Sequence, residues 1–193
     1  MRRISYIMML AALSLVACKD AKKETPVMEN DTVETETEME APETKELNIT
    51  LNPKSDSKVA GNVTFTEEDG EVKMHAMISG LEPGEHAIHI HEKSDCSAPD
   101  GTSTGGHWNP TNQAHGKWGA EAGYHKGDIG NFTADADGNA MVMFNTDEWC
   151  IGCDDESKNI VGKGVIVHAG VDDYTTQPTG DAGGRISCAG IIQ

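Results

Sequence analysis

The chain has 193 residues, with 15 basic against 32 acidic side chains and a formal net charge of −17. That length allows one domain with a small appendage. The charge excludes a nucleic-acid binder, which needs a basic face to displace counterions. Aromatic residues make up 5% of the chain and glycines number 21, a balance that points to a loop-rich β protein and away from a helical bundle.

In chain order, the first element is a predicted signal over residues 1–17. Arg2 and Arg3 precede a short apolar run from Ile7 to Val16, and Leu15-Val16-Ala17-Cys18 sets small residues directly before a cysteine. A secretory signal has this layout. Its end resembles a bacterial lipobox, which implies cleavage before Cys18 and lipid attachment to that residue. Acyl chains there would anchor the protein to a membrane, since each buried methylene contributes about 0.8 kcal/mol. The expectation is an exported, lipid-anchored protein of the bacterial cell envelope, facing the periplasm or associated with the outer membrane. Disulfides persist in such a compartment. With Cys18 lipidated, an even set remains: Cys96, Cys150, Cys153 and Cys188.

Residues 18–46 are predicted to be an acidic, disordered tether. From Lys19 to Glu46 there are ten acidic and four basic residues, no aromatic residue and no apolar periodicity. Such a segment buries too little surface to offset chain entropy. No apolar run outside the N-terminus approaches the roughly 18 residues of a membrane span.

Residues 47–193 form the expected folded domain. Alternation predicts strands over Leu47–Leu51, Val59–Thr66, Glu71–Ser79, His86–Glu92, Ile129–Thr133, Ala140–Asn145, Gly164–Ala169 and Arg185–Ile192. Asp69-Gly70, Pro83-Gly84 and Asp137-Gly138 mark turns between them. The fold class is therefore all-β, an eight-stranded antiparallel sandwich or barrel. Two connections are long, Lys93–Lys126 and Asp172–Gly184. Loops of that length inside a compact domain usually carry function.

All eight histidines lie in this domain. His89 and His91 are two apart on a predicted strand, so both point to one face while Ile88 and Ile90 point to the core. His125 and Asp128 flank Gly127, a bend that can aim both at one ion. His107 and His115 lie in the first long loop, and His168 ends the strand written Val165-Ile166-Val167. Neutral imidazoles suit copper and zinc, and a mixed histidine and aspartate set suits tetrahedral zinc. Two four-coordinate sites need eight positions, and these residues supply seven. One residue must bridge the ions or water must fill a place, and spacing leaves both open.

The blocks His86-Ala87-Ile88-His89-Ile90-His91-Glu92, Gly105-Gly106-His107-Trp108-Asn109-Pro110 and His125-Lys126-Gly127-Asp128-Ile129-Gly130-Asn131 resemble copper/zinc superoxide dismutase. So do His168-Ala169-Gly170-Val171-Asp172-Asp173-Tyr174 and Gly183-Gly184-Arg185-Ile186-Ser187-Cys188, and all five occur in the family's order. The resemblance covers residues 47–193. It implies a Greek-key sandwich or barrel with two functional loops, one copper and one zinc per subunit, and superoxide as substrate. By position it implies that His89, His91, His107 and His168 hold copper, and that His107, His115, His125 and Asp128 hold zinc, with His107 as the bridge. Arg185 matches the residue that guides the anion, and His107 and Arg185 are the catalytic pair. Asp172 matches a carboxylate linking histidines of the two metals, and Thr179 the channel rim. Cys96 and Cys188 match a disulfide.

His86 matches a histidine with a structural hydrogen bond, and His75, without a match, is read as a surface residue. Cys150 and Cys153 lie in an acidic insert and are read as an extra local disulfide, ahead of a redox or copper-acquiring pair. Met141 and Met143 share a strand face and are read as a buried stripe in preference to a copper relay. Trp108, Trp118 and Trp149 are read as packing residues in preference to interface anchors. Lys93, Lys117, Lys126 and Lys163 are the candidates for steering the anion, since the loop Asp172–Gly184 contains no lysine. Activity is therefore expected without strong steering. Oligomeric state stays open between monomer and homodimer. A competing reading is a copper-binding or copper-delivery lipoprotein of the same fold without turnover. Relatives of that kind commonly lack copper ligands or the arginine, and this chain has both.

Overall fold

The computed structural model describes residues 44–193. The expected signal, Cys18 and nearly all of the tether lie outside the described residues. Eight strands follow: β1 (Lys45–Pro53), β2 (Ala60–Glu68), β3 (Glu71–Ser79), β4 (Gly84–His91), β5 (Gly130–Ala134), β6 (Ala140–Thr146), β7 (Gly164–His168) and β8 (Arg185–Gly190). All pair antiparallel, in the order β5-β4-β7-β8-β1-β2-β3-β6. The outermost two, β5 and β6, are joined by the turn at Asp135–Asn139, so the sheet curls into a nearly closed barrel. The eight strands coincide with the eight read from alternation, with ends shifted by a few residues. β1 begins at Lys45, just before the expected start of the domain.

Local chemistry sets the register. Asp69 (φ 52°) and Gly70 (φ 80°) both adopt the left-handed conformation that a tight two-residue hairpin requires. This turn pairs Glu68 with Glu71 and carries the register through to Ala60 opposite Ser79. Val72, Met74, Ala76 and Ile78 of β3 then point inward, with Glu71, Lys73, His75, Met77 and Ser79 outward. They meet Val63 and Phe65 of β2 and Ile88, Ile90, Val165 and Val167 from the far side of the barrel. Each fully buried side chain of this size contributes about 1.5–3 kcal/mol. At one end, Phe65, Phe144, Trp118 and Trp149 pack ring against ring, and Trp149 donates through Nε1 to the Lys126 carbonyl at 2.8 Å. Trp108 is also buried, with Lys163 Nζ 5.6 Å from its ring centre.

One expectation is overturned. Met141 and Met143 do share a face of β6, but they are 60% and 76% exposed. Val142 points inward between them and Phe144 follows it on that side. Both parities of Met141-Val142-Met143-Phe144 are apolar, so alternation alone gives no direction. The pairing with β3 decides, because Val142 sits opposite inward-facing Ala76.

Two disulfides are present. Cys96–Cys188 joins the first long loop to β8 across 92 residues, with Cα atoms 5.9 Å apart. A closed loop of that length contributes about 4–5 kcal/mol in the chain-entropy account. Cys150–Cys153 closes a local loop between β6 and β7. That loop is tied down where Cys150 exchanges main-chain hydrogen bonds with Lys158 and Ile160.

Candidate metal centre

Strand β4 delivers the first two imidazoles. Ile88 and Ile90 enter the core while His89 and His91 point to the opposite, equally buried face. That face is covered because the first long loop folds back over it. Glu92 N–H donates to the Gly106 carbonyl at 3.0 Å, Trp108 N–H to Ile90 at 2.9 Å, and Ile90 N–H to Gly127 at 2.9 Å. These bonds place His107 beside His91. Gly127 is required at this crossing, since a β-carbon there would lie 2.1 Å from the Ile90 carbonyl oxygen. His168 closes β7 at a bulge, which sets it opposite Arg185 on β8.

The resulting geometry has two groups. Ligand atoms of His89, His91, His107 and His168 all lie within 4.8 Å of one another, and so do those of His107, His115, His125 and Asp128. His107 is common to both, and all seven residues are buried.

Four of the six rings are held by the nitrogen that faces away from the group, and His107 Nδ1 donates within the second group to Asp128 Oδ1 at 2.8 Å. His91 Nδ1 donates to the Gly105 carbonyl at 3.0 Å and His168 Nδ1 to that of Gly183 at 3.3 Å. His89 Nε2 and His115 Nε2 donate to the two oxygens of Asp172, at 3.0 and 2.8 Å. Partners of this kind fix a ligand's tautomer and orientation. Asp128 is fixed too: its Oδ2 accepts from the main-chain N–H of His125 at 2.7 Å and of Gly116 at 3.2 Å.

What remains facing inward fits metal ions. Two buried nitrogens of the first group, His89 Nδ1 and His107 Nε2, have no hydrogen-bond partner, and in the second His115 Nδ1 and His125 Nδ1 face only Asp128, at 3.0 and 3.3 Å. A buried nitrogen with no partner, such as His89 Nδ1 or His107 Nε2, costs about 1–3 kcal/mol if left unpaired. His91 Nε2 and His168 Nε2 lie 3.3 Å apart. With both Nδ1 protons committed elsewhere, those two atoms are acceptors facing acceptors, and a cation between them relieves the repulsion. The all-nitrogen group suits copper, and the three imidazoles with one carboxylate suit zinc.

Electrostatics keep the ligands in binding form. Burial, with the neighbouring histidines, pushes His91 and His168 well below the ordinary histidine value. Burial lowers His107 to about 4 and also lowers His89, against the pull of their aspartates. His115 differs: burial is outweighed by its contacts with Asp128 and Asp172, and it rises to about 9. Burial likewise fails to raise the two aspartates, because hydrogen bonds from these histidines hold both well below the usual carboxylate range.

The other expected residues fall as follows. Arg185, the register partner of His168, has its guanidinium anchored where Nη1 donates to the Gly101 carbonyl and to Thr104 Oγ1, both at 2.9 Å. Thr179 is half-buried in the second long loop, directly before Gly180. His86 places Nδ1 3.0 Å from the His168 carbonyl oxygen, a structural contact, and His75 is exposed on β3. Among the steering candidates, Lys126 is paired with Glu148 and Lys163 covers Trp108.

Several supporting residues were not singled out from sequence. Asn131 holds Asp172 by both main-chain groups: Nδ2 donates to its carbonyl at 2.9 Å and Oδ1 accepts from its N–H at 2.8 Å. Gln177 does the same for His115, at 2.9 and 2.8 Å. Gly180 leaves room for the bridging carboxylate, since a β-carbon there would lie 1.8 Å from Asp172 Oδ1. An asparagine inside a strand next to a site was the one available signal.

A family model described as copper/zinc superoxide dismutase (SODC) matches residues 59–191. Superoxide dismutase [Cu-Zn] of Caulobacter vibrioides is 38% identical over 142 residues, covering 72% of this chain and 80% of that protein. The superoxide dismutase-like protein YojM of Bacillus subtilis is 32% identical over 200 residues, covering 100% of this chain and 97% of that one. Among solved structures, a double mutant of a SOD-like protein from Bacillus subtilis superposes with a TM-score of 0.68 at 34% identity, covering 76% of this chain and 97% of the other.

Proposed function

The chain belongs to the copper/zinc superoxide dismutase family, and from that premise we propose that it dismutes superoxide in the bacterial cell envelope, with His107 joining a copper and a zinc. The observation that carries this reading is one histidine common to two buried ligand groups whose inward-facing nitrogens find no partner outside the groups themselves. Copper in the four-histidine group supplies one-electron redox chemistry, and zinc in the other is redox-inert.

The chain's own residues have three tasks. Two superoxide anions and two protons become oxygen and hydrogen peroxide, so protons must be delivered where the anion binds. His107 Nε2 faces the four-histidine group and is the atom placed to pass a proton to the bound anion. Arg185 binds the anion. Its Nη1 is anchored, while its remaining N–H groups make no hydrogen bond among the described residues, and a guanidinium offers paired donors to a small anion. Asp172, bonded to His89 and His115, keeps the two groups in fixed relation.

The lipobox-like Leu15-Val16-Ala17-Cys18 supports a lipid anchor on Cys18, followed by the acidic tether. Superoxide arising in the envelope would then meet the enzyme there.

A copper-binding protein without turnover would use the same histidines, and the name of the YojM relative keeps that reading in view. The test is metal analysis and a superoxide assay on purified, fully loaded protein and on His89→Ala. The loaded protein should dismute superoxide. The variant should lose copper and activity while keeping zinc and its β-sheet circular dichroism. Stoichiometric copper without dismutation would favour the binding protein, and unchanged dismutation in the variant would overturn the copper assignment.

A further inference from the structure

The outer face of β3 and β6 carries side chains that the dismutase reading leaves unused. Met77 is 49% exposed, Met141 60% and Met143 76%, and His75 beside them is exposed as well. In the register, Met77 lies directly opposite Met141, and His75 directly opposite Met143. The four residues thus occupy the corners of one small patch. Directly opposed residues place their β-carbons about 4.5–5.5 Å apart, and successive positions on one strand face are about 7 Å apart.

Three exposed methionines side by side need a reason. The remaining outward positions on these strands are Glu71, Lys73, Ser79 and Asn145, as a water-facing sheet requires. Large apolar side chains exposed singly are ordinary, but a cluster marks a binding surface. Here the cluster has a particular chemistry. Thioethers are soft, neutral donors that select Cu(I), and an imidazole joins them readily. Methionine has three rotatable bonds, enough for sulfurs from three corners to reach a common point. No carboxylate occupies a corner, which disfavours hard divalent ions. Lys73, next along β3, has its ammonium 3.6 Å from Glu68, so a compensated charge borders the patch. The strongly acidic chain, at −17, favours a cation's approach. Met77 and Met141 also line a surface cleft with Asn62, Ser79 and Asn139, which leaves one side of the patch open.

We propose that this patch is a third metal site, one that binds Cu(I) through the thioethers of Met77, Met141 and Met143 and the imidazole of His75. It stands independently of the dismutase reading, because no ligand of the two-group centre lies on β3 or β6. The binding step involves no change of oxidation state: the ion arrives as Cu(I), and four neutral donors replace its carrier.

The test uses full-length protein already loaded with copper and zinc. Ag(I), a redox-inert probe with the same soft character, is titrated in while the methionine methyl resonances are followed. Cu(I) affinity is then measured anaerobically against a chromophoric chelator. One further monovalent ion should bind, and the Met77, Met141 and Met143 methyls should shift together while buried Met74 stays fixed. The triple variant Met77→Leu, Met141→Leu, Met143→Leu keeps the outward apolar volume. It should bind Cu(I) at least tenfold more weakly with dismutation unchanged, and His75→Gln should weaken binding less. No additional ion bound, shifts confined to other methionines, or undiminished affinity in the triple variant would each overturn the proposal.

Discussion

Strands β2, β3 and β6 bury one face and turn the other to water, whereas β4 and β7 are buried on both. The first set has one partner, the core. The second has two, the core on one side and the folded-back loops on the other. All buried titratable groups among the described residues belong to β4, β7 and their adjoining loops. The apolar half resists unfolding, and the polar half spends that stability on burying imidazoles whose inward nitrogens find no partner outside their own groups. Stability and chemistry are thereby separated across the barrel.

Four experiments can break or sharpen that division. Phe65→Ala should cost about 3–5 kcal/mol in denaturant unfolding and leave the metal content of the folded protein unchanged. Loss of metal at low denaturant would show that the halves are not separable. Asp172→Asn should do the reverse, weakening both copper and zinc by about 10–100-fold in chelator competition. An effect on one metal alone would mean that the shared carboxylate does not couple the two groups.

The metal-free protein should show a stability maximum near neutral pH. His89, His91, His107 and His168 are lowered in the fold, His107 to about 4. The unfolded chain therefore binds more protons between about 4 and about 6.5, and stability falls as pH drops through that window. His115 is raised to about 9, so its contribution is full below about 6.5 and fades as pH climbs toward 9. Thermal melts from pH 4 to 9 without metals should trace this dome, and a flat profile would contradict the burial account. The smallest effect is on steering. With Lys126 and Lys163 engaged elsewhere, raising salt to about 0.15 M should slow dismutation by about twofold or less, because few unscreened positive charges remain to draw in the anion.

Much of this was legible in the chain. Alternation and the Asp69-Gly70 turn placed all eight strands, because β-structure writes its period into residue type. The seven residues of the two groups were legible because imidazole and carboxylate are metal-binding chemistry and because their blocks resemble the family's. The supports were harder to read. The carbonyls of Gly105 and Gly183 hold two histidines through backbone, which every residue possesses. Gly180 and Gly127 matter for the atom they lack, and only the folded chain shows what would collide. Asn131 and Gln177 act on residues distant in sequence. For Met141 and Met143 the period was right, but the direction depended on a neighbouring strand's register.

The Cys96–Cys188 bridge has a consequence for how firmly Arg185 is held. It pins the segment that carries Gly101 and Thr104, the two acceptors that hold Arg185. A chain that had taken up both ions with its thiols still reduced would possess its electron carrier but only a loosely held anion clamp. Oxidation of that one pair thus acts as a latch on the arginine, set several residues away from any of the grouped histidines.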